Sequence, residues 1–467
     1  MQKMYGSNAR FSWNLKFCNI SYDCIGYRGL TYSHCLTFRL RSKNVRIPVC
    51  ILTDVDGAIA ASANTDGMAL VDIKIVSGII NQIAIAESIK LENIPTVDLQ
   101  GKQIWPCFVD VHTHLDKGHI WERSPNKTGT FQDALLAIFK DEETWTTEDI
   151  YRRMEFGLKC SYVHGTKAIR THLDSAGKLI DINWDVFNTL KKEWGDRLIL
   201  QGVSLATLDY YSTAEGEKLI NKVAESGGIL GGVAYINPDL EQQIERIFAI
   251  AKDRNLNLDF HVDENGEAES ICLYKISEAA LKYQFEGKII CGHCCSLAVQ
   301  PEDIVQKTLE LVKAANIGIV SLPMCNLYLQ DRQYDQSQSP KTPRWRGTTL
   351  VHELKQTGIS VAFASDNCRD PFYGFGDHDG LEVFKMAVRI CHLDRPFQDW
   401  LSTVTTIPAD FMGLPDTGRL GVGMAADFII FQGRYLSEIL SRCQSDRIVI
   451  RNGKILEEKL PDYAELD

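Results

Sequence analysis

Histidines and carboxylates are grouped along this chain in a way that could hold a metal ion. One segment runs Asp110-Val111-His112-Thr113-His114-Leu115-Asp116. Others are His261-Val262-Asp263-Glu264, Gly292-His293 and Ser365-Asp366. Residues i and i+2 of a strand face the same side, so His112 and His114 present two imidazoles together. Imidazoles with one carboxylate suit a borderline divalent ion, Fe2+ or Zn2+. Mg2+ and Ca2+ prefer all-oxygen shells. Such an ion lowers the pKa of water toward neutrality and so supplies a nucleophile for an sp2 carbon. Glu264, three residues past His261, could carry protons to the substrate. Asp366 could accept the water's proton while touching the metal, and His293 could stabilise the tetrahedral adduct.

Each of these residues alone is a weak signal, since a lone His is usually a surface or satisfied core residue. Their placement at strand ends carries the expectation. Strand-like runs are Ile104–Val111, Lys167–Leu173, Leu198–Leu205, Ile229–Ile236, Leu256–Phe260, Lys288–Cys291, Ile317–Leu322 and Ile359–Ala364. Helical spacing lies between them, as in Ile150, Met154 and Leu158 after Thr146 as a cap, and in Leu240, Ile244, Ile247, Phe248 and Ala251. Eight alternating strands and helices predict a (β/α)8 TIM-like barrel, with catalytic residues at the C-terminal ends of its strands. His112, His114, His172, His261 and His293 all fall there. The alternative is a doubly wound sheet. It would carry a glycine-rich phosphate loop, and neither G-x-G-x-x-G nor a Walker sequence occurs.

Both ends of the chain read as β structure. Val45–Ile51, Met68–Val76 and Ile79–Ile85 are β-branched, as are Ala425–Phe431 and Ile448–Ile450 before an Asn452-Gly453 turn. This predicts a small β-sandwich built from residues 44–103 and 410–467 beside a barrel over 104–409. Residues 1–43 form an atypical, acid-poor extension that reads as a tail or a targeting segment.

The chain has 467 residues, a net charge of −11 and a pI near 5.6. That charge argues against a nucleic-acid partner, and no uncharged apolar window is long enough for a membrane span. A small-molecule substrate is expected, in a cytoplasmic protein whose thiols are reduced. Organelle targeting through 1–42 is the alternative, and a homo-oligomer is compatible with the sequence. The fourteen cysteines are scattered in a chain long enough to bury a core without staples. Cys291-Gly292-His293-Cys294-Cys295 lacks the second cysteine pair that a structural zinc site needs. His172 and Asp174 read as supports for the metal histidines or as substrate contacts. The run Asp141-Glu142-Glu143 reads as a solvated helix end.

Residues 106–116, ending His112-Thr113-His114-Leu115-Asp116, resemble the first-strand motif of the amidohydrolase superfamily, and the chain is similar to its cytosine deaminase branch. The resemblance covers about residues 44–460. It includes Gly129-Thr130-Phe131, Arg170-Thr171-His172-Leu173-Asp174, Asn326-Leu327-Tyr328-Leu329-Gln330 and Asp370-Pro371-Phe372-Tyr373. It implies one metal, iron or zinc, on His112, His114, His261 and Asp366. It implies Glu264 as proton shuttle, His293 and Asp366 acting on the water, and the Phe131 backbone near the substrate. Three positions depart from the cytosine deaminase pattern. Thr207 replaces a substrate-binding glutamine, Asn367 a second aspartate, and Phe372 a tryptophan wall. A pocket with altered hydrogen-bonding partners can reject the old substrate strongly. The expected reaction is hydrolytic deamination, as of cytosine to uracil and ammonia. The alternatives are isocytosine, a pterin, an aminotriazine or a cyclic amide, or a non-catalytic scaffold.

Overall fold

The structure, a computed structural model, describes residues 39–89, 95–334, 339–395, 397, 399–442 and 446–467. Of the extension set apart as 1–43, residues 1–38 lie outside the described part. Residues 39–43 already belong to the first strand, which moves that boundary back to Arg39.

In chain order the strands begin with β1 (Arg39–Pro48), β2 (Met68–Val76), β3 (Ile79–Ile85), β4 (Thr96–Asp98) and β5 (Gln103–Pro106). Then come β6 (Phe108–Thr113), β7 (Thr166–Asp174), β8 (Ile199–Leu205), β9 (Leu230–Ala234), β10 (Leu258–Val262), β11 (Ile289–His293) and β12 (Gly318–Ser321). A short hairpin, β13 (Gln333–Tyr334) and β14 (Pro340–Lys341), precedes β15 (Val361–Phe363). β16 (Phe428–Phe431), β17 (Arg447–Arg451) and β18 (Lys454–Ile455) close the series.

Eight parallel strands make the barrel predicted from the alternating pattern. β6, β7 and β8 pair in order, as do β9, β10, β11, β12 and β15. Single bridges Val203↔Ile229 and Thr207↔Val233 join β8 to β9, and Thr113↔Asp366 closes the ring between the end of β6 and the residues after β15. The closing seam is reinforced by Asp366 N donating to the His112 carbonyl at 2.9 Å and Thr113 Oγ1 donating to the Asp366 carbonyl at 2.9 Å. Helices between the strands start where threonine hydroxyls accept from exposed backbone N–H groups. Thr130, Thr146 and Thr213 do this for Phe131–Glu142, Thr147–His164 and Ala214–Glu225.

The strands from both chain ends form one sheet of order β18-β17-β16-β5-β1-β2-β3, with β4 beside β1. β5 against β16 joins the two ends, with Trp105 opposite Ile429. Asn452-Gly453 makes the expected turn between β17 and β18, with φ of 48° and 74°. One expectation is corrected. Ile104–Val111 is not one strand. Its first half, as β5, belongs to the end sheet, and its second half, as β6, opens the barrel. The break falls at Cys107, just after Pro106, whose missing N–H ends a ladder.

Candidate active site

The strand ends bring the expected residues to one mouth. His112 lies in β6 and His114 just past it. His261 is in β10, His293 ends β11, and Asp366 lies three residues past β15. The three Nε2 atoms and one carboxylate oxygen converge. His112 Nε2 is 3.2 Å from His261 Nε2, which is 3.3 Å from His114 Nε2. Asp366 Oδ1 stands 3.5 Å from His112 Nε2 and 3.3 Å from His114 Nε2. A tetrahedral ion bound at roughly 2.0–2.2 Å spaces its ligands about 3.3–3.6 Å apart. The four atoms therefore fit one small cation.

The electrostatics agree with that fit. Burial, reinforced by the neighbouring imidazoles and Lys117, holds His112, His114 and His261 well below the usual histidine pKa. They are neutral, with lone pairs free for a metal. Both carboxylate oxygens of Asp366 are buried without a hydrogen-bond donor among the described residues. Burial above all, with the nearby Asp370 carboxylate adding to it, pushes Asp366 up to about 7. A cation there would remove this cost.

Backbone geometry aims these groups. His293 and Asp366 are non-glycine residues at φ of 68° and 62°, a left-handed conformation that turns each side chain across the mouth. Gly292 supplies clearance, since a Cβ there would stand 2.8 Å from His112 Cε1. His172 lies under the site. Its ring packs on that of His112 with centroids 4.0 Å apart, and its Nε2 is 3.8 Å from Asp259 Oδ1. Asp259 is in turn ion-paired to Arg170 at 2.7 Å.

Glu264 faces the site from the loop after β10. Its Oε1 is 3.2 Å from His293 Nδ1, and Asn326 Nδ2 lies 3.4 Å from that oxygen and 3.0 Å from the same ring nitrogen. Burial, then the Asp366 charge, raises the Glu264 carboxyl well above the usual range. Burial lowers His293 to about 3. The Asn326 amide donates to Nδ1, so the neutral ring carries its proton on Nε2, which has no other partner among the described residues.

These groups open into a cavity of about 680 Å³. His114, His261, His293, Glu264 and Asp366 line its floor, and Phe131, Thr207, Asn367 and Phe372 line its walls. Phe131 and Phe372 meet edge to face at 5.5 Å. Asn367 faces the cavity, but its amide already donates to Asp370 Oδ2 at 2.7 Å.

Two charged residues in the wall were not anticipated. Lys117 is buried, 2.9 Å from Asp174 Oδ1 and 5.4 Å from the Phe372 ring centre. It lies in turns past β6, beyond the reach of strand periodicity. Glu142, read as part of a solvated end, instead lines the cavity. Burial, then the Asp174 charge, raises it to about 8. Its neighbour Asp141 accepts from Arg123 and from Trp145 Nε1.

Residues 208–456 match the model of the amidohydrolase family. A pterin deaminase of Rhizobium rhizogenes is 47% identical over 406 residues, 86% of this chain and 92% of that protein. The chain belongs to the amidohydrolase family. As an amidohydrolase it is a hydrolase of carbon–nitrogen bonds, and several proteins it resembles are deaminases. N-isopropylammelide isopropyl amidohydrolase of a Pseudomonas strain is 23% identical over 374 residues, 77% of this chain and 87% of that protein. Among solved structures, 5-methylcytosine deaminase of Klebsiella pneumoniae superposes with a TM-score of 0.76 at 24% identity, over 90% of this chain and 98% of that one. That likeness supports the barrel architecture. No helix among the described residues is long and apolar enough to cross a membrane.

Proposed function

We propose that this amidohydrolase deaminates a pterin, replacing the 2-amino group of a 2-amino-4-oxopteridine by oxygen and releasing ammonia. The observation that carries this is the 47% identity to a pterin deaminase across nearly all of that protein's length. It displaces the cytosine reading. The cavity of about 680 Å³ leaves room for a bicyclic ring, and Thr207 and Phe372 are smaller than the glutamine and tryptophan of the cytosine pattern.

His112, His114, His261 and Asp366 would hold one Zn2+ or Fe2+. Such an ion supplies Lewis acidity, which brings the ionisation of water toward neutral pH. The chain's own groups do the rest. Phe131 and Phe372 press on the ring system and orient it. Glu264, kept protonated by burial, delivers a proton to a ring nitrogen beside C2 as water oxygen bonds to that carbon. Asp366 takes one proton from the water. His293 Nε2–H donates to the oxygen on C2. Asp366 then passes its proton to the departing amine, and the hydroxyl proton returns to Glu264. The balance is pterin plus water to the 2-oxo pteridine plus ammonia.

The test is ammonia release from pterin by metal-replete protein. Chelation should abolish it, and zinc or ferrous iron should restore it. Failure to release ammonia with metal bound would overturn the reading.

A further inference from the structure

We infer that His119, Cys368 and His378 form a second metal site, a zinc clip that ties the loop after β6 to the loop after β15. One nitrogen from each imidazole and the Cys368 sulfur all lie within 4.8 Å of one another. A tetrahedral zinc would draw such atoms to about 3.3–3.8 Å.

The ring nitrogens are the second observation. Both nitrogens of His119 and Nε2 of His378 are buried without a hydrogen-bond partner among the described residues. His378 is only 2% exposed. A buried polar atom left unpaired is costly, and here one nitrogen of each ring lies near the same thiol. The His378 tautomer is set for ligation. Thr113 Oγ1 donates to the Asp366 carbonyl, so it accepts from His378 Nδ1 at 3.4 Å and leaves the Nε2 lone pair free.

The surroundings are shaped around the cluster. Gly157, inside a helix, makes room for the His378 ring, since a Cβ there would stand 3.0 Å from Nε2. Gly376, at φ of 88°, leaves the same kind of room beside Cys368, whose Sγ would lie 3.3 Å from its Cβ. The two loops are already joined by His119 N donating to the Cys368 carbonyl at 3.1 Å.

Two imidazoles and a thiolate favour zinc over hard cations. Binding breaks the Cys368 S–H bond, forms a sulfur–zinc bond and releases one proton to solvent. Three protein ligands leave a fourth position, which a water would fill. The clip spans the seam where the barrel closes, next to Thr113 and Asp366, so its role is to fix that seam. The inference stands on these side chains alone and is independent of the proposed substrate.

The experiment is cobalt substitution of the full-length apoprotein, with bound metal counted in parallel. Two equivalents should bind. The second should bring a near-ultraviolet thiolate-to-cobalt charge-transfer band, because none of the four ligands expected in the active site is sulfur. Cys368→Ser should lose that band and one equivalent while keeping the other. Cys325→Ser, at the buried thiol near Asp366 and Glu264, should keep both. Binding of one equivalent, absence of the band, or its persistence in Cys368→Ser would overturn the clip. Should Cys368→Ser fail to fold, the wild-type titration and Cys325→Ser decide, since loss of the band in the latter would also overturn it.

Discussion

Glu264 is buried beside a second carboxylate, so its charged form is disfavoured and its carboxyl is held well above the usual range. Glu264→Gln keeps the shape and removes the transferable proton. It should lower kcat by roughly 10²–10⁴ with metal content unchanged, as read by steady-state kinetics beside metal analysis. Glu142 makes a separate prediction about pH. Its carboxyl rises from 4.5 to about 8 in the folded protein, so the native state binds the proton more tightly than the unfolded chain. That contribution to stability is complete below 4.5 and is lost as pH rises through about 8. Glu142→Gln removes it. The melting temperature of wild type relative to Glu142→Gln should therefore fall between about pH 5 and about pH 9. At this scale the sequence showed residue type but not surroundings. His112 and His114 were legible because strand spacing puts both imidazoles on one side. Glu142 was not, because whether an acidic helix end meets solvent or a cavity depends on what folds over it, here Lys117 and Asp174.

The elements were legible through periodicity, and their ends less so. β7 and β8 lie within a residue of the predicted runs, because apolar β-branched stretches flanked by helices leave little choice. The run Ile104–Val111 misled because two strands of different sheets follow each other with one residue between them. Hydropathy is continuous there while hydrogen bonding is not. Strand ends also carry the left-handed residues that aim the site, and no local pattern marks His293 or Asp366 for positive φ. Gly292 shows how tightly β11 meets β6. In Gly292→Ala the new methyl would meet the His112 ring at 2.8 Å. The ring or the strand must shift, at a cost of about 1–3 kcal/mol. Reduced metal content together with a lower melting temperature is the expected result. An unchanged metal content would show that His112 is not held where the structure places it.

Over the whole molecule, segments far apart in sequence must meet before any site exists. β5 pairs with β16, and the barrel closes through Asp366 onto β6. A cation on His112, His114, His261 and Asp366 would draw on β6, β10 and β15 at once, so binding should stabilise the folded state as a unit. At about a hundredfold excess over Kd the gain is about 2.7 kcal/mol. Chelation should therefore lower the melting temperature, and added zinc or iron should return it. The barrel and the sheet shared between the chain ends could be read from alternation and from strands at both termini. The size and lining of the cavity could not, because they depend on how the helix Phe131–Glu142 and the Lys117 loop come together. The most direct test of the account is the ratio of kcat/KM for pterin over cytosine, measured by ammonia release on metal-replete protein. A ratio well above ten is predicted, from a cavity that has lost the hydrogen-bonding partners of the cytosine pattern. A preference for cytosine, or no ammonia from pterin with the metal bound, would contradict it.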